Sequence, residues 1–549
     1  MPKRLSIGRY LLDQLHRHGV RHIFGVPGDY VLAFYDLIEK SPIECVGTTR
    51  EDSAGFAADA YARVSGLGAV CVTYCVGGFN VTNPVAGAYA EKSPVIVISG
   101  APGLKEREHN PLLHHRVRGF ATQREIFARI TVAATSLEDP VTAYHEIDRV
   151  IHAVERYKRP GYIELPRDMV DVVHPHAHRE RSLQEETDDD ALAECIAEAT
   201  AMLNESRRPV ILAGVEVHRF GLQDALVKLV DKMGVPVAAT IMGKSVISET
   251  HPLYLGIYEG AMGRSAVQKV VESADCVLAL GCFMTDINLG VYTAHLDPGR
   301  TISATSEKTS IRHHSFENVP FRSFFKTLLK SRLRHRRKPR MPKPATAKGR
   351  KPRDGDRITM RTLYPMLNSF LTDDMVVISD VGDCLFGAAD LTIHRRTEFL
   401  SPAYYTSMGF AVPAAVGAQM ANRSLRPLVL VGDGAFQMTG LELSTVVRLG
   451  LNPVVVVLNN HGYSTERMIM DGPFNDLHNW NFSKVPDVLG GGWGFVARTV
   501  GDVRKALEAS LANRDSFSLI EVDLDPWDVS PALVRLGERL GKRVKGRSK

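Results

Sequence analysis

Residues Leu425–Glu466 read LRPLVLVGDGAFQMTGLELSTVVRLGLNPVVVVLNNHGYSTE. An apolar, β-branched run breaks on Gly432, Asp433 and Gly434. A helical stretch, Gln437–Leu449, follows, and a second apolar run, Val454–Leu458, ends on Asn459 and Asn460. Strand, turn, helix and strand in that order make a parallel crossover. Gly-Asp-Gly alone is ordinary turn chemistry, because glycine tolerates positive φ and Asp caps helices. The setting adds more. Ligands of open parallel sheets lie beyond the carboxyl ends of the strands, and Asp433 and Asn460 end consecutive strands, so both emerge at one sheet edge. A carboxylate oxygen beside an amide oxygen suits Mg²⁺ rather than zinc. Mg²⁺ takes few protein ligands and is completed by phosphate oxygens, and Gly434 lets a diphosphate approach the backbone. Other phosphate sites fit less well: Gln437 stands where a dinucleotide fingerprint needs its third glycine, and no Walker lysine follows the turn.

A chain of 549 residues has room for about three domains. Its 44% apolar and 23% charged content is that of an ordinary globular protein. Seven cysteines without paired spacing read as reduced thiols in a cytoplasmic setting. The first twenty residues form an amphipathic helix without a signal peptide's apolar stretch, and no run is long enough to span a bilayer, so no membrane partner is expected. The net charge of +5 misleads, because Lys330–Arg353 carries twelve Lys or Arg and no acid, and the rest of the chain stands at −7. This Pro-rich segment reads as a solvated interdomain tether, and nucleic acid is not expected as a partner. A second basic run, Arg535–Lys549, reads as a helix with a frayed tip.

The basic segment divides the chain. Before it lie two strand-and-helix blocks. The first has strands at Ala69–Tyr74, Val95–Ser99 and Tyr162–Leu165; the second opens on an acidic, helix-prone stretch, Leu183–Glu205, and has strands at Val210–Ala213 and Cys276–Leu280. A third block has strands at Met375–Ser379, Leu428–Val431, Val454–Leu458 and Leu519–Val522. Strands alternating with helices predict three parallel-sheet α/β domains, over 1–180, 181–329 and 357–549, with 330–356 as linker.

Gly432-Asp433-Gly434, twenty-four intervening residues and Asn459-Asn460 resemble the signature of the thiamine-diphosphate (ThDP) enzymes. The resemblance covers nearly the whole chain outside the linker. It implies ThDP and Mg²⁺ as cofactors, with the metal on Asp433, Asn460 and the Gly462 carbonyl, and Gly432, Gly434 and Ala435 beside the diphosphate. TTREDSAGFAADAYAR (Thr48–Arg63) is similar to the family segment whose glutamate drives the cofactor's aminopyrimidine to its imino form, which makes Glu51 that glutamate. Arg50 and Ala60 depart from the usual pattern there. Val76–Gly103 resembles the pyrimidine-side loop and puts Val76 and Asn83 near that ring, although Asn83 also reads as a helix cap. SDVGDCLFGAADL implies cofactor contacts from Gly382, Asp383 and Cys384, and YYTSMGF supplies Met408 as the apolar wedge that keeps the cofactor bent.

Three further stretches choose a branch. FGVPGDY gives Asp29, NPLLHHRVRG gives His114 and His115, and GYSTERMI gives Glu466. Together they resemble the proton-relay set of the pyruvate and indolepyruvate type of 2-oxo acid decarboxylases. GDCLF, GDGAFQMTG and FNDLHNW are most similar to the bacterial phenylpyruvate and indolepyruvate branch. The implied reaction is non-oxidative decarboxylation of an aryl 2-oxo acid to the aldehyde and CO₂. Thr465 leaves more room than the isoleucine of pyruvate-specific relatives, whereas Leu385 argues the other way if it lines the same pocket. Pyruvate or branched-chain decarboxylation, an acetolactate-synthase-like carboligation and a non-catalytic ThDP-binding scaffold are the alternatives. The family shares each cofactor between the first domain of one subunit and the third of another, so the partner is a second copy of the chain, in a homodimer or homotetramer.

Overall fold

The computed structural model describes residues 5–175, 178, 187–337, 339, 341–342, 351–394 and 399–535. The apolar runs become three sheets. From edge to edge the first is Glu44–Gly47, His22–Gly25, Gly68–Val72, Val95–Ala101, Gly161–Pro166 and Ala133–Ser136, every pair parallel. The third is Phe399–Leu400, Met375–Ser379, Arg426–Gly432, Val454–Asn459, Ser518–Asp523 and Trp493–Ala497, again parallel throughout. Runs such as VIVISGA and VVVVLN are buried along their length because helices cover both faces. The central sheet departs from the parallel expectation. Thr301–Ala304, Thr309–Ile311 and His314–Phe316 form an antiparallel edge beside otherwise parallel strands.

First and third units share one core. Helix Glu51–Ser65 meets Ala411–Ala421 so closely that a Cβ on Gly417 would lie 1.9 Å from the Ala57 carbonyl oxygen. The small-residue sequences of both helices, AADA and AAVGA, permit that approach, and it fixes the start of the Glu51 helix relative to the third sheet.

Three local expectations need correction. The helix expected over Gln437–Leu449 begins at Asp433 and is interrupted: Asp433–Thr439 is helical, Gly440–Glu442 forms a tight turn and Leu443–Arg448 resumes. Asp433 itself opens the first turn, where a carboxylate suits the helix dipole. The acidic helix starts at Asp189, capped by Asp188, whose side chain accepts from Asp190 N and Ala191 N; residues 183–186 lie outside the described residues. The basic segment is not solvated throughout. His335 Nδ1 bonds Lys232 O at 3.0 Å, and the Arg336 guanidinium donates to Ser206 O at 2.9 Å and to Leu203 O. Those carbonyls end helices Asp189–Glu205 and Gln223–Met233, where unpaired C=O groups attract cations. The frayed tip, 536–549, lies outside the described residues. No described helix is long and apolar enough to cross a membrane.

Candidate active site

The register of the third sheet pairs Gly432 with Leu458, so Asp433 and Asn460 leave adjacent strands at the same end. Asp433 is 3% exposed. Its Oδ1 accepts from Gly434 N at 2.8 Å and its Oδ2 from Gly462 N at 2.9 Å. With no cation beside it, burial pushes the carboxyl up to about 6. The buried Asn460 amide makes no hydrogen bond among the described residues. Asn459 instead donates to Glu521 Oε1 at 2.9 Å. The glycines have separate reasons. A Cβ on Gly462, at φ +153°, would lie 2.1 Å from Asn475 O, one on Gly434 would meet the Tyr463 ring at 2.6 Å, and one on Gly432 would meet nothing within 4 Å. Ala435 is buried in the helix that Asp433 opens. A carboxylate raised by burial, beside an unpartnered amide, fits a hard divalent cation with oxygen ligands, and the open side at Gly432 leaves room for phosphate.

Gly382, at φ +71°, caps helix Asp383–Ala388 and lies close to Thr465: its missing Cβ would sit 3.2 Å from Thr465 Oγ1. Asp383 does not turn its carboxylate to open space. Oδ2 accepts from Ser530 N at 2.8 Å and Oδ1 from the Ser530 hydroxyl, and burial pushes the acid up to about 6. Cys384 and Leu385 are buried in the core, so Leu385 does not line an open pocket. Half-buried Met408 packs on the shared core, on a loop whose anchor the sequence reading missed. Asp380, fully buried, accepts from Gly409 N at 3.2 Å and Ala411 N at 3.0 Å, while Thr439 Oγ1 donates to Gly409 O at 2.7 Å.

On the first unit, Glu51 opens its helix, and Oε2 accepts from Asn80 Nδ2 at 2.9 Å. Exposed Val76 begins the short helix Val76–Asn80, after Cys75 at φ +49°. That strained backbone is held by Gln123, which sequence reading passed over: Oε1 accepts from Cys75 N at 2.6 Å, and Nε2 donates to Ser99 Oγ and Tyr162 Oη. Asn83 is not a cap. Its Nδ2 donates to Ser407 Oγ at 2.8 Å, across to the Met408 loop.

Asp29, His114 and His115 do come together. His114 Nε2 lies 2.8 Å from Asp29 Oδ2, and its ring stacks on Tyr30 at 4.7 Å, with Nδ1 3.2 Å from the Tyr30 hydroxyl. His115, at φ +64°, packs edge-on to His114. Arg167, ion-paired with Glu106, approaches Asp29 at 3.7 Å. Tyr30 and Arg167 carried no signal beyond adjacency in space. Glu466 stands apart on helix Ser464–Ile469, exposed, and no hydrogen bond or ion pair among the described residues joins it to this cluster. Within a single chain, three of the four expected residues touch, and the fourth, Glu466, makes no bond to them among the described residues. Nor does such a bond join Glu51 to Asp433, Asn460 or Gly462 among the described residues.

Comparison with known proteins gives three matches along the chain: the thiamine pyrophosphate enzyme N-terminal TPP binding domain over residues 5–121, the central domain over 196–331 and the C-terminal TPP binding domain over 380–522. The chain is 37% identical to an indole-3-pyruvate decarboxylase of Azospirillum brasilense, covering 97% of each protein. It is 34% identical to an alpha-keto-acid decarboxylase of Mycobacterium leprae, covering 97% of this chain and 95% of the relative. With the Mycobacterium tuberculosis H37Rv alpha-keto-acid decarboxylase it shares 36%, over 97% of this chain and 96% of that protein.

Proposed function

The chain belongs to the thiamine pyrophosphate enzymes, and from that membership we propose that it decarboxylates an aryl 2-oxo acid, indole-3-pyruvate or phenylpyruvate, to the aldehyde and CO₂. The Azospirillum relative carries indole-3-pyruvate in its name, and the mycobacterial relatives carry alpha-keto acids. One observation carries the reading: the Asp29–His114–His115 cluster lies on the same chain as an isolated, buried Asp433 between two glycine amides. The first can move protons, and the second can hold a cation.

When bound, thiamine diphosphate would supply a thiazolium whose C2 carbon, once its proton is lost, is nucleophilic towards a ketone and whose ring can accept the electrons left as CO₂ departs. The protein does the rest. Asp433, Asn460 and the Gly462 carbonyl would hold Mg²⁺, and Gly382, Asp383, Cys384, Gly432, Gly434 and Ala435 would flank the cofactor. Met408, fixed through Asp380, supplies an apolar support, and Val76 and Asn83 flank the ring-binding side. Glu51 holds a proton on the aminopyrimidine nitrogen. Asp29, His114, His115 and Glu466 shuttle protons to the substrate carbon and from the product hydroxyl.

The active unit, by likeness to the family, is a homodimer or its doubled form, a homotetramer, in which Glu51 of one copy serves Asp433 of the other. All seven cysteines are free, in keeping with a cytoplasmic location. The test is CO₂ release by the Mg²⁺- and ThDP-loaded protein from pyruvate, branched-chain 2-oxo acids, phenylpyruvate and indole-3-pyruvate. Fastest release from an aryl substrate is expected. Equal or greater release from pyruvate overturns the substrate, and a carbon–carbon ligation product in place of aldehyde overturns the reaction.

A further inference from the structure

We propose that Asp29, His114 and His115 also form a binding site for a transition-metal ion, Zn²⁺ in particular, that blocks the enzyme reversibly. One ligand atom from each of the three lies within 4.8 Å of the others. Two imidazole nitrogens and a carboxylate oxygen are a common zinc donor set, and three protein ligands leave a fourth position open. The cluster is also braced from behind. The Tyr30 hydroxyl at 3.2 Å from His114 Nδ1, with the two rings stacked, turns Nε2 towards Asp29, as outer partners of metal-bound histidines do. His115 is fixed in turn by its left-handed backbone and its edge-on contact with His114 at 4.7 Å.

Little must move. His114 Nε2 and Asp29 Oδ2, now 2.8 Å apart across a hydrogen bond, would open to about 3.3 Å around an ion bonded to each at ~2 Å. The metal takes the place of the proton they share. Arg167, 3.7 Å from Asp29, opposes the ion, but its charge is matched by Glu106. Mg²⁺ does not compete here, because it demands oxygen ligands in octahedral array. The all-oxygen pair Asp433 and Asn460 and this nitrogen-rich trio therefore sort the two metals.

The blocking effect rests on the proton-shuttle reading above; the binding does not. The test titrates Zn²⁺ into holoenzyme saturated with Mg²⁺ and ThDP, against a chromophoric chelator. One Zn²⁺ per chain is expected. Asp29→Asn and His115→Asn should each weaken it at least about tenfold, and Tyr30→Phe about tenfold through the lost outer contact. Each variant is first shown to retain Mg²⁺-dependent ThDP binding, with His115→Gln replacing any His115→Asn protein that does not. Wild-type zinc affinity in the Asp29 or His115 variant overturns the site, as does loss of all bound Zn²⁺ to excess Mg²⁺. CO₂ release should fall by half at the concentration that half-fills the site. Full activity with the site filled overturns the blocking role while leaving the proposed reaction intact, whereas a protein without any decarboxylase activity refutes that reaction and leaves the binding result standing.

Discussion

The Gly462 amide donates to Asp433 Oδ2 at 2.9 Å, joining two strand ends that lie twenty-nine residues apart in sequence. That bond, with the one from Gly434, aims the carboxylate and favours its charged form, while burial disfavours that form and outweighs both. The acid sits at about 6 rather than its ordinary 3.8. A raised carboxylate adds stability below its unfolded value and loses it as pH rises through the folded one. The cofactor-free protein should therefore melt at lower temperature at pH 7 than at pH 5, with Asp380 and Asp383, also near 6, contributing to the same slope.

Asp433→Asn follows from the same relationship. The neutral amide removes a penalty of about 3 kcal/mol at most, at ~1.4 kcal/mol per pKa unit. The amide nitrogen cannot accept from Gly434 N or Gly462 N, which costs about 1–3 kcal/mol at any pH, so the lost charge shows as a flatter dependence of the cofactor-free melting temperature on pH between 5 and 7 than in the wild type. Mg²⁺-dependent ThDP binding, followed by tryptophan fluorescence, should be lost. Retained tight binding would show that Asp433 is a turn residue and no metal ligand.

Glu51→Gln should bind ThDP but fail to activate it. The amide keeps the shape and can still meet Asn80, yet offers no charge to draw a proton onto the ring nitrogen. Hydrogen–deuterium exchange at the cofactor's reactive carbon, read by NMR on the bound cofactor, should slow by orders of magnitude. Exchange at the wild-type rate would reduce Glu51 to a helix-opening acid.

Gln123 is buried among Cys75, Ser99 and Tyr162, and a Cβ on Gly78 would lie 2.0 Å from its Oε1. Gln123→Leu removes the acceptor for the Cys75 amide, at a cost of about 1–3 kcal/mol for a buried unsatisfied donor. The melting temperature should fall, and ThDP affinity should fall with it because the loop carrying Val76 loosens. An unchanged cofactor affinity would confine Gln123 to stability alone.

How much of this was legible depends on the kind of signal. Strands such as Met375–Ser379 and Cys276–Leu280 occur as read, because continuous β-branched runs are what a sheet covered on both faces requires. Asp433 and Asn460 were legible because strand ends at a shared sheet edge follow from topology. Asp380 was not: it acts through backbone amides of a loop twenty-nine residues on, which no spacing rule announces. Tyr30 and Gln123 were hidden for the same reason. Glu466 makes no bond to Asp29 or the histidines among the described residues, and similarity of motifs groups such residues without specifying contacts between them.

Thr465 offers the sharpest test of substrate choice. It stands next to Glu466, with Oγ1 3.2 Å from where a side chain on Gly382 would begin, while Leu385 is withdrawn into the core. Of the two size-determining candidates, Thr465 is the one the fold leaves outside the core. Burying an aryl ring removes more than ~100 Å² of apolar surface from water, nominally worth about 3 kcal/mol at ~25 cal/mol/Å². If half is realised in the transition state, about 1.4 kcal/mol gives at least a roughly tenfold higher kcat/KM for phenylpyruvate or indole-3-pyruvate than for pyruvate. Thr465→Ile adds bulk beside Gly382, which has no side chain with which to yield. It should lower kcat/KM for the aryl acids about tenfold and change that for pyruvate much less. The ratio of the two constants is the quantity to measure, since a general loss of activity cancels from it. A ratio unmoved by Thr465→Ile would place the ring elsewhere and overturn the aryl-pocket role of Thr465.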